Sequence, residues 1–399
     1  MLTHGWSYDS ARFLIPGKKR VASGSSPRQH QSMSVQDSIS AANKSVGKMN
    51  IANAEAQSHP RRSTPHTQLR RLMTAALAGA LVLTVTARAT AQSNDCDDRH
   101  PMGDAWFTGP MLANSAAVLP RGHALLETYL YDSTVQGVFD RKGVRHSAPS
   151  SNGYGTISYL VYAVTDKLAL GLLPTAGYNQ PAQGASSSGI GLGDWTFQAQ
   201  RKITQFDPCR PIPGISLAVQ QSVPTGRFDR LGSRPADGQG SGAYTTTLAF
   251  FSQHYFWMPN RRILRARFDL FQSASITANV EGVSVYGTPA GFRGKASPGK
   301  SFCLDAAFEY SLTRRWVLAS DVVYHRSADT LVSGTTTLPG AAPTRLVMHS
   351  GSSDYFGFAP AVEYSRSAHL GFLFGARIIT SGRNTAATIM PAFGINFVR

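Results

Sequence analysis

From residue 122 onward the chain repeats apolar and polar positions with a period of two, and no sustained helical stripe interrupts it. Phe302, Leu304, Ala306, Phe308, Tyr310 and Leu312 interleave with Cys303, Asp305, Ala307, Glu309 and Ser311. Ile389, Pro391, Phe393, Ile395 and Phe397 interleave with Met390, Ala392, Gly394 and Asn396 in the same way. Successive side chains of a strand point to opposite faces, so each such segment has one greasy and one polar side. The pattern predicts strands over 122–132, 153–164, 168–178, 191–203, 214–223, 242–255, 263–276, 301–312, 316–326, 353–364, 369–380 and 386–397.

A soluble β-sandwich also alternates, with its apolar faces turned inward. Three features favour a membrane barrel. The segments reach about ten residues, the length of a tilted bilayer crossing. Tyr and Phe gather at segment ends, where an aromatic belt meets lipid headgroups. The connections also alternate in length. Those at 165–167, 205–213, 258–262, 313–315 and 365–368 are short or moderate. Those at 133–152, 179–190, 224–241, 277–300 and 327–352 are long, and only the last, 381–385, is short again. Short periplasmic turns, long outer loops, an even strand count and both ends in the periplasm describe an outer-membrane barrel. The expected fold is all-β, a transmembrane antiparallel up-and-down β-barrel over 121–399 with about 12 strands. The range is 10–14, because Val280–Tyr286 has the composition of one strand more. Closure pairs every backbone N–H and C=O in hydrocarbon and leaves no sheet edge. Pro360 and Pro391 each remove a ladder donor and are expected at bulges.

Composition narrows the class. Charged residues make up 16% and aromatics 10% of the 399 residues, and no mature segment approaches the ~20 apolar residues of a spanning helix. Arg70-Arg71, the apolar run from Leu72 to Thr86 and the small residues Ala89-Thr90-Ala91 predict a signal peptide over 69–91, cleaved after Ala91. Residues 1–68 read as a disordered leader rich in Ser, Gln and Lys, and its internal Met33 and Met49 suggest a start placed too far upstream. Residues 1–91 hold 12 Lys/Arg against 3 Asp/Glu, so the formal charge of +16 falls to +7 over the remaining 308 residues. A shed basic tail is not a nucleic-acid-binding face, and no nucleic acid is expected as a partner. Residues 92–120 are expected to form an N-terminal periplasmic segment ahead of the barrel.

If the apolar faces meet lipid, the alternate positions line a lumen: Glu127, Gln198, Gln200, Gln220, Arg265, Arg267, Asp269, Asp305, Glu309, Asp321, His325, Glu363 and Arg377. Charges at membrane depth are tolerated in pairs or beside water. Arg265, Arg267, Asp305 and Glu309 then either define a constriction or pair to hold the wall together. Arg141, Lys142, Arg145, Arg227, Arg230, Arg234, Arg293, Lys295 and Lys300 fall in the outer loops. They suit lipopolysaccharide phosphates, or are ordinary solvated charge offset by Asp140, Asp229 and Asp237. Cys96 and Cys209 both fall on the periplasmic side and are expected to form a disulfide, whereas Cys303 is expected to be a free filler on the lumen side. His325-Arg326-Ser327 has the His-x-Ser form of outer-membrane lipid hydrolases, but its phase faces the lumen, where those enzymes face lipid. The cysteines are isolated and no His-x-x-x-His helix exists, so neither metal nor cofactor is expected.

Ser188-Gly189-Ile190-Gly191-Leu192-Gly193-Asp194-Trp195-Thr196-Phe197-Gln198-Ala199-Gln200-Arg201 resembles the outer-membrane β-barrel family named for the MetA (meta) pathway of phenol degradation. Members of that family carry a G-x-G-D followed by an alternating strand. Val223-Pro224-Thr225-Gly226 matches a strand end of the family, and Thr165-Asp166-Lys167-Leu168 echoes one of its turns. The same glycines do not make a dinucleotide loop, because G-x-G-x-G here opens a strand rather than a helix. The chain departs from the usual aromatic ending of such barrels, since Val398-Arg399 follow Phe397. The resemblance implies a channel or uptake protein for small hydrophobic or aromatic solutes. Expected partners are outer-membrane lipids and lipopolysaccharide, the barrel-assembly machinery and the solute itself. The alternatives are a structural barrel without a transport role and a lipid hydrolase using His325 and Ser327.

Overall fold

The alternating segments become strands almost where the pattern places them. The structure is a computed structural model that describes residues 102–399 apart from 211 and 338. The expected leader, the signal peptide and Cys96 lie outside the described residues. In chain order the strands are β1 (Ala124–Phe139), β2 (Arg145–His146), β3 (Ser151–Thr165), β4 (Leu168–Leu173), β5 (Thr175–Gln180), β6 (Gly191–Leu192) and β7 (Trp195–Thr204). They continue as β8 (Gly214–Val223), β9 (Thr245–Trp257), β10 (Ile263–Ser275), β11 (Ala278–Glu281), β12 (Phe292–Ser297) and β13 (Ser301–Ser311). The last are β14 (Trp316–Ser327), β15 (Leu331–Thr336), β16 (Thr344–His349), β17 (Ser353–Ser365), β18 (Leu370–Arg383) and β19 (Thr385–Val398).

Neighbouring strands pair antiparallel in the order β1, β3, β4 with β5, β7, β8, β9, β10, β13, β14, β17, β18 and β19. The ring closes where β19 returns to β1, with Leu125 opposite Val398 and Phe139 opposite Thr385. With β4 and β5 counted as one stave and β6 as the start of β7, the wall is a closed barrel of 12 staves. Pro174 separates β4 from β5 without moving the register, since Leu160 faces Leu172 and Ile157 faces Thr175 across it. Closure follows from backbone chemistry: the continuous ladders pair the backbone N–H and C=O groups around the ring, apart from local openings, so greasy side chains can face outward.

Two expectations need correcting. Pro360 and Pro391 do not sit at bulges. Beside Pro360 the β17–β18 ladder opens between the pairs Phe358–Ile378 and Ala361–Gly375, and the register resumes unchanged. Beside Pro391 the β1–β19 ladder opens between Tyr131–Ala392 and Thr134–Ile389, again without a shift. A missing N–H opens a ladder locally but adds no residue, and the shifts lie elsewhere, at Val135/Gly137 and Phe356/Gly357. The extra strand suspected near Val280 is real as β11, but it belongs to a second sheet, ordered β11-β12-β15-β16, and leaves the barrel count even. This outer sheet has its own small core of Val280, Phe292, Ala296 and Val332, with Phe228, Tyr286, Leu346 and Met348 packed against it. Gly294 and Gly334 face each other there, and a Cβ on either would run into backbone and the Phe292 ring.

A third correction concerns the N-terminal segment. Residues 106–118, expected with the rest of 92–120 outside the barrel, run inside it and bond to its inner wall. Cys303 is buried and outside any disulfide, and Cys209 is disulfide-bonded.

Candidate functional site

The register decides which side chains turn inward. Along β10, Ile263, Arg265, Arg267, Asp269, Phe271 and Ser273 are buried while Phe268 is exposed. Along β13, Cys303, Asp305, Ala307 and Glu309 are buried while Phe308 is exposed. The inner face is not the purely polar surface the alternation suggests. Tyr129, Tyr131, Phe251, Phe271, Val323 and Met390 also point inward and form one buried cluster with Met111 and Leu112.

Met111 and Leu112 belong to the segment that fills the bore. It starts at the short-turn end, where the Trp106 N–H donates to Arg314 O at 2.8 Å. Thr108 and Gly109 N–H both donate to Glu363 Oε2, at 2.6 and 3.0 Å. Pro110 has no N–H to place. The next three donors, from Met111, Leu112 and Ala113, converge on Asp321 at 3.0, 3.2 and 3.0 Å. Asn114 donates from its backbone and its amide to Asp269 Oδ2, at 2.6 and 3.2 Å. Ala116 N–H reaches Gln253 Oε1 at 3.1 Å. The wall donates in return: Arg267 Nη1 to Ala113 O at 3.0 Å, Gln200 Nε2 to Ser115 O at 2.9 Å and Ser216 Oγ to Ala116 O at 2.6 Å.

An extended chain with no neighbouring strand must pair its backbone with something, and here wall side chains stand in for a ladder. The carboxylates benefit as well. A buried charge is tolerable only when it is hydrogen-bonded, and amide donors meet that need without a bound cation. The fit is close: a Cβ on Gly371 would collide with Thr108 Oγ1.

The other inward charges serve the wall itself. Glu309 is bonded by Arg265 through two nitrogens, one at 2.5 Å, and by Arg267 Nε at 2.9 Å. The Arg265 guanidinium also lies 4.4 Å over the Phe107 ring, which ties this cluster to the segment in the bore. Asp305 stands apart from that cluster, forming no ion pair with a described residue; it faces Asp269 across the β10–β13 ladder. Gln220 donates to Gln198 at 2.7 Å, Gln198 to Gln200 at 3.3 Å, and Gln200 to the plug carbonyl named above. Glu127 accepts from Tyr129 Oη at 2.8 Å. Arg377 Nη2 lies 3.6 Å from Met390 Sδ. His325 faces inward and stacks on Tyr355 at 5.1 Å and 22°, a placement that does not serve an attack on lipid from Ser327.

Gln253, Ser216 and the plug itself carry no sequence signature. Their one trace was a surplus of inward carboxylates over inward arginines. At the outer end, Asp194 of the G-x-G-D stretch accepts from Gly226 N–H at 3.0 Å and from Ser241 N–H and Oγ at 2.7 Å each, knotting loop 224–241 to β7. The outer arginines are partly neutralised: Arg230 and Arg293 flank Glu281 at 2.6 and 2.9 Å, and Arg227 lies 3.7 Å from Asp237. A cavity of about 210 Å³ opens at the short-turn end, lined in part by Trp106, Phe107, Tyr255, Arg265 and Asn396.

No protein-family model matches the chain, and no curated protein sequence does. Among solved structures, an outer-membrane channel from Pseudomonas putida F1 matches with a TM-score of 0.53 at 15% identity, over 72% of this chain and 100% of that one. At that identity the likeness is one of fold. The toluene transporter TbuX of Ralstonia pickettii aligns over 74% of this chain and 95% of its own at 12% identity, with a TM-score of 0.33.

Proposed function

We propose that this chain is an outer-membrane channel for small hydrophobic or aromatic solutes, whose bore is closed at the short-turn end by residues 106–118. The observation that carries this reading is how the bore is filled. A barrel that served only as a wall could fill its interior with interlocking apolar side chains. This one buries Asp269, Asp321 and Glu363 and has each accept hydrogen bonds from a tethered stretch of backbone that belongs to no ladder. Moving that stretch breaks no strand pairing.

Phe251, Phe271, Val323 and Met390 pack in one buried cluster with Met111 and Leu112, so displacing the segment would bare apolar wall to a solute. The fold-level likeness to an outer-membrane channel supports the location, and the G-x-G-D and Val-Pro-Thr-Gly patches support kinship with the meta-pathway family. In this reading the long loops face outward, where Arg141, Lys142 and Arg145 are free to meet lipopolysaccharide phosphates, and the β1–β19 seam is closed by the assembly machinery.

Planar-bilayer conductance of the refolded chain from residue 92, with and without residues 102–118, tests the proposal. A small or fluctuating current from the whole chain and a steady, larger one from the shortened chain are expected. Silence from both would overturn it in favour of a barrel with a purely structural role. Liposome uptake of an uncharged aromatic solute against a charged one of equal size tests the solute class, with faster entry of the uncharged one expected.

A further inference from the structure

The short-turn end is unevenly charged. The turns 258–262, 312–315 and 366–369 and the C-terminal residue are neighbours around the rim. Asn260 Nδ2 donates to Tyr310 Oη at 2.6 Å, Ser365 N–H to Arg315 O at 2.8 Å, Val398 N–H to His369 O at 2.8 Å and Arg399 N–H to Ala124 O at 2.9 Å. This arc carries Arg261, Arg262, Arg314, Arg315, Arg366 and Arg399, all exposed, and its turns contain no Asp or Glu. None of the six is in an ion pair with a described residue; Arg314 instead lies 4.4 Å over the Trp106 ring. On the opposite arc the turns carry their own acids: Asp166 adjoins Lys167, and Asp207 lies 3.6 Å from Arg210.

The strands that hold the basic turns also hold an outward aromatic band. Trp316 packs on Tyr364 at 4.7 Å, Tyr364 stacks on Phe372 at 6.5 Å, Phe372 on Phe393 at 6.3 Å, and Phe393 meets Phe374 at 4.8 Å. Trp316 is 46% exposed and Phe374 56%. An arc of guanidinium groups directly below a greasy aromatic wall is complementary to a molecule with a negative head and apolar tails. A soluble polyanion would use the arginines and leave the wall idle. A zwitterionic lipid would bring an ammonium group that finds no Asp or Glu in the three turns, where six guanidinium groups outnumber the single C-terminal carboxylate. Guanidinium groups bond phosphate oxygens through paired N–H donors, and aromatic rings favour the headgroup level of a bilayer.

We infer that this arc is a binding site for anionic glycerophospholipids, of the phosphatidylglycerol kind, in the leaflet that the short turns face. The inference rests on the membrane location proposed above, but not on conduction. The test places the full chain in nanodiscs of mixed phosphatidylethanolamine and phosphatidylglycerol and weighs the lipids it retains on gentle extraction. Roughly fivefold enrichment of phosphatidylglycerol over the bulk ratio is expected, the factor that about one favourable basic contact supplies. The variant R314Q/R315Q/R366Q should return the retained lipids to the bulk ratio, while K167Q, on the opposite arc, should keep the enrichment. High salt should weaken it in the wild-type chain, a readout that does not depend on any variant folding. Retention at the bulk ratio by the wild type, or undiminished enrichment in a folded triple variant, would overturn the inference. Conductance measured on the same preparations separates the two proposals: a silent barrel that still enriches the anionic lipid loses only the channel, and a conducting one with bulk-ratio lipids loses only the site.

Discussion

Two arginine–carboxylate clusters in this molecule have nearly the same geometry and opposite surroundings. On the inner wall Glu309 lies fully buried between Arg265 and Arg267; on the outer sheet Glu281 lies between Arg230 and Arg293, with both guanidinium groups largely in solvent. Attraction between opposite charges is strong where water is excluded, but so is the cost of removing each charge from water. The inner cluster therefore matters chiefly for what its loss would strand, whereas the outer one can exchange its partners for water. Asp321 makes a third case, buried with three amide donors and no arginine. It holds a segment in place rather than a wall together.

The contrast is sharpest at Glu309. Glu309→Gln removes the charge between two buried guanidinium groups and is expected to destabilise the barrel by about 3–5 kcal/mol. The denaturant midpoint of the refolded protein, followed by far-ultraviolet circular dichroism, measures it, and an unchanged midpoint would place Glu309 with Glu281. Asp321→Ala takes the acceptor from three plug amides, each leaving a penalty of about 1–3 kcal/mol unless the segment moves into water. It should therefore release the plug and raise conductance while the barrel's own midpoint changes little, a split that Glu309→Gln does not produce. Glu281→Gln is expected to leave the midpoint almost unchanged, since exposed pairs contribute little to stability. A loss as large as that at Glu309 would mean that the outer sheet excludes water.

The smallest effect is one of pH. A hydrogen bond from His146, helped by the Val144 and Lys142 N–H groups, holds the exposed Asp140 carboxyl down to about 2. Because its folded value lies below the ordinary one, the carboxylate's contribution is complete above the usual carboxylate range and is lost only as pH falls through about 2. Amide exchange at Val144 should stay slow until then, and early loss of protection would show that the turn does not depend on this carboxylate.

What the sequence displayed and what it hid follow from the same physics. Strands such as β10 and β13 were legible because water and lipid sort their two faces, so Arg265, Phe268 and Glu309 alternate visibly. The inward positions of Asp269, Asp321 and Glu363 were legible for the same reason. The plug was not, because its centre, residues 109–113, is buried against the wall without an alternation of faces for water and lipid to sort. Their contacts are also made mainly by backbone, which every sequence possesses. Pro360 misled in a different way: a missing donor was read as an inserted residue, and the ladder shows these to be separate events.

The seat of the plug has a consequence for the order in which the molecule is made. Its acceptors lie on β9, β10, β14 and β17, and the bond from Thr108 to Glu363 spans 255 residues of chain. The stretch that leaves the ribosome before the wall therefore cannot be fully seated until β17 is in place, since its seat is complete only when the far side has been synthesised and curled round. In the interval its amides and the wall's buried acids both stay wet, and a single late docking event dries them together.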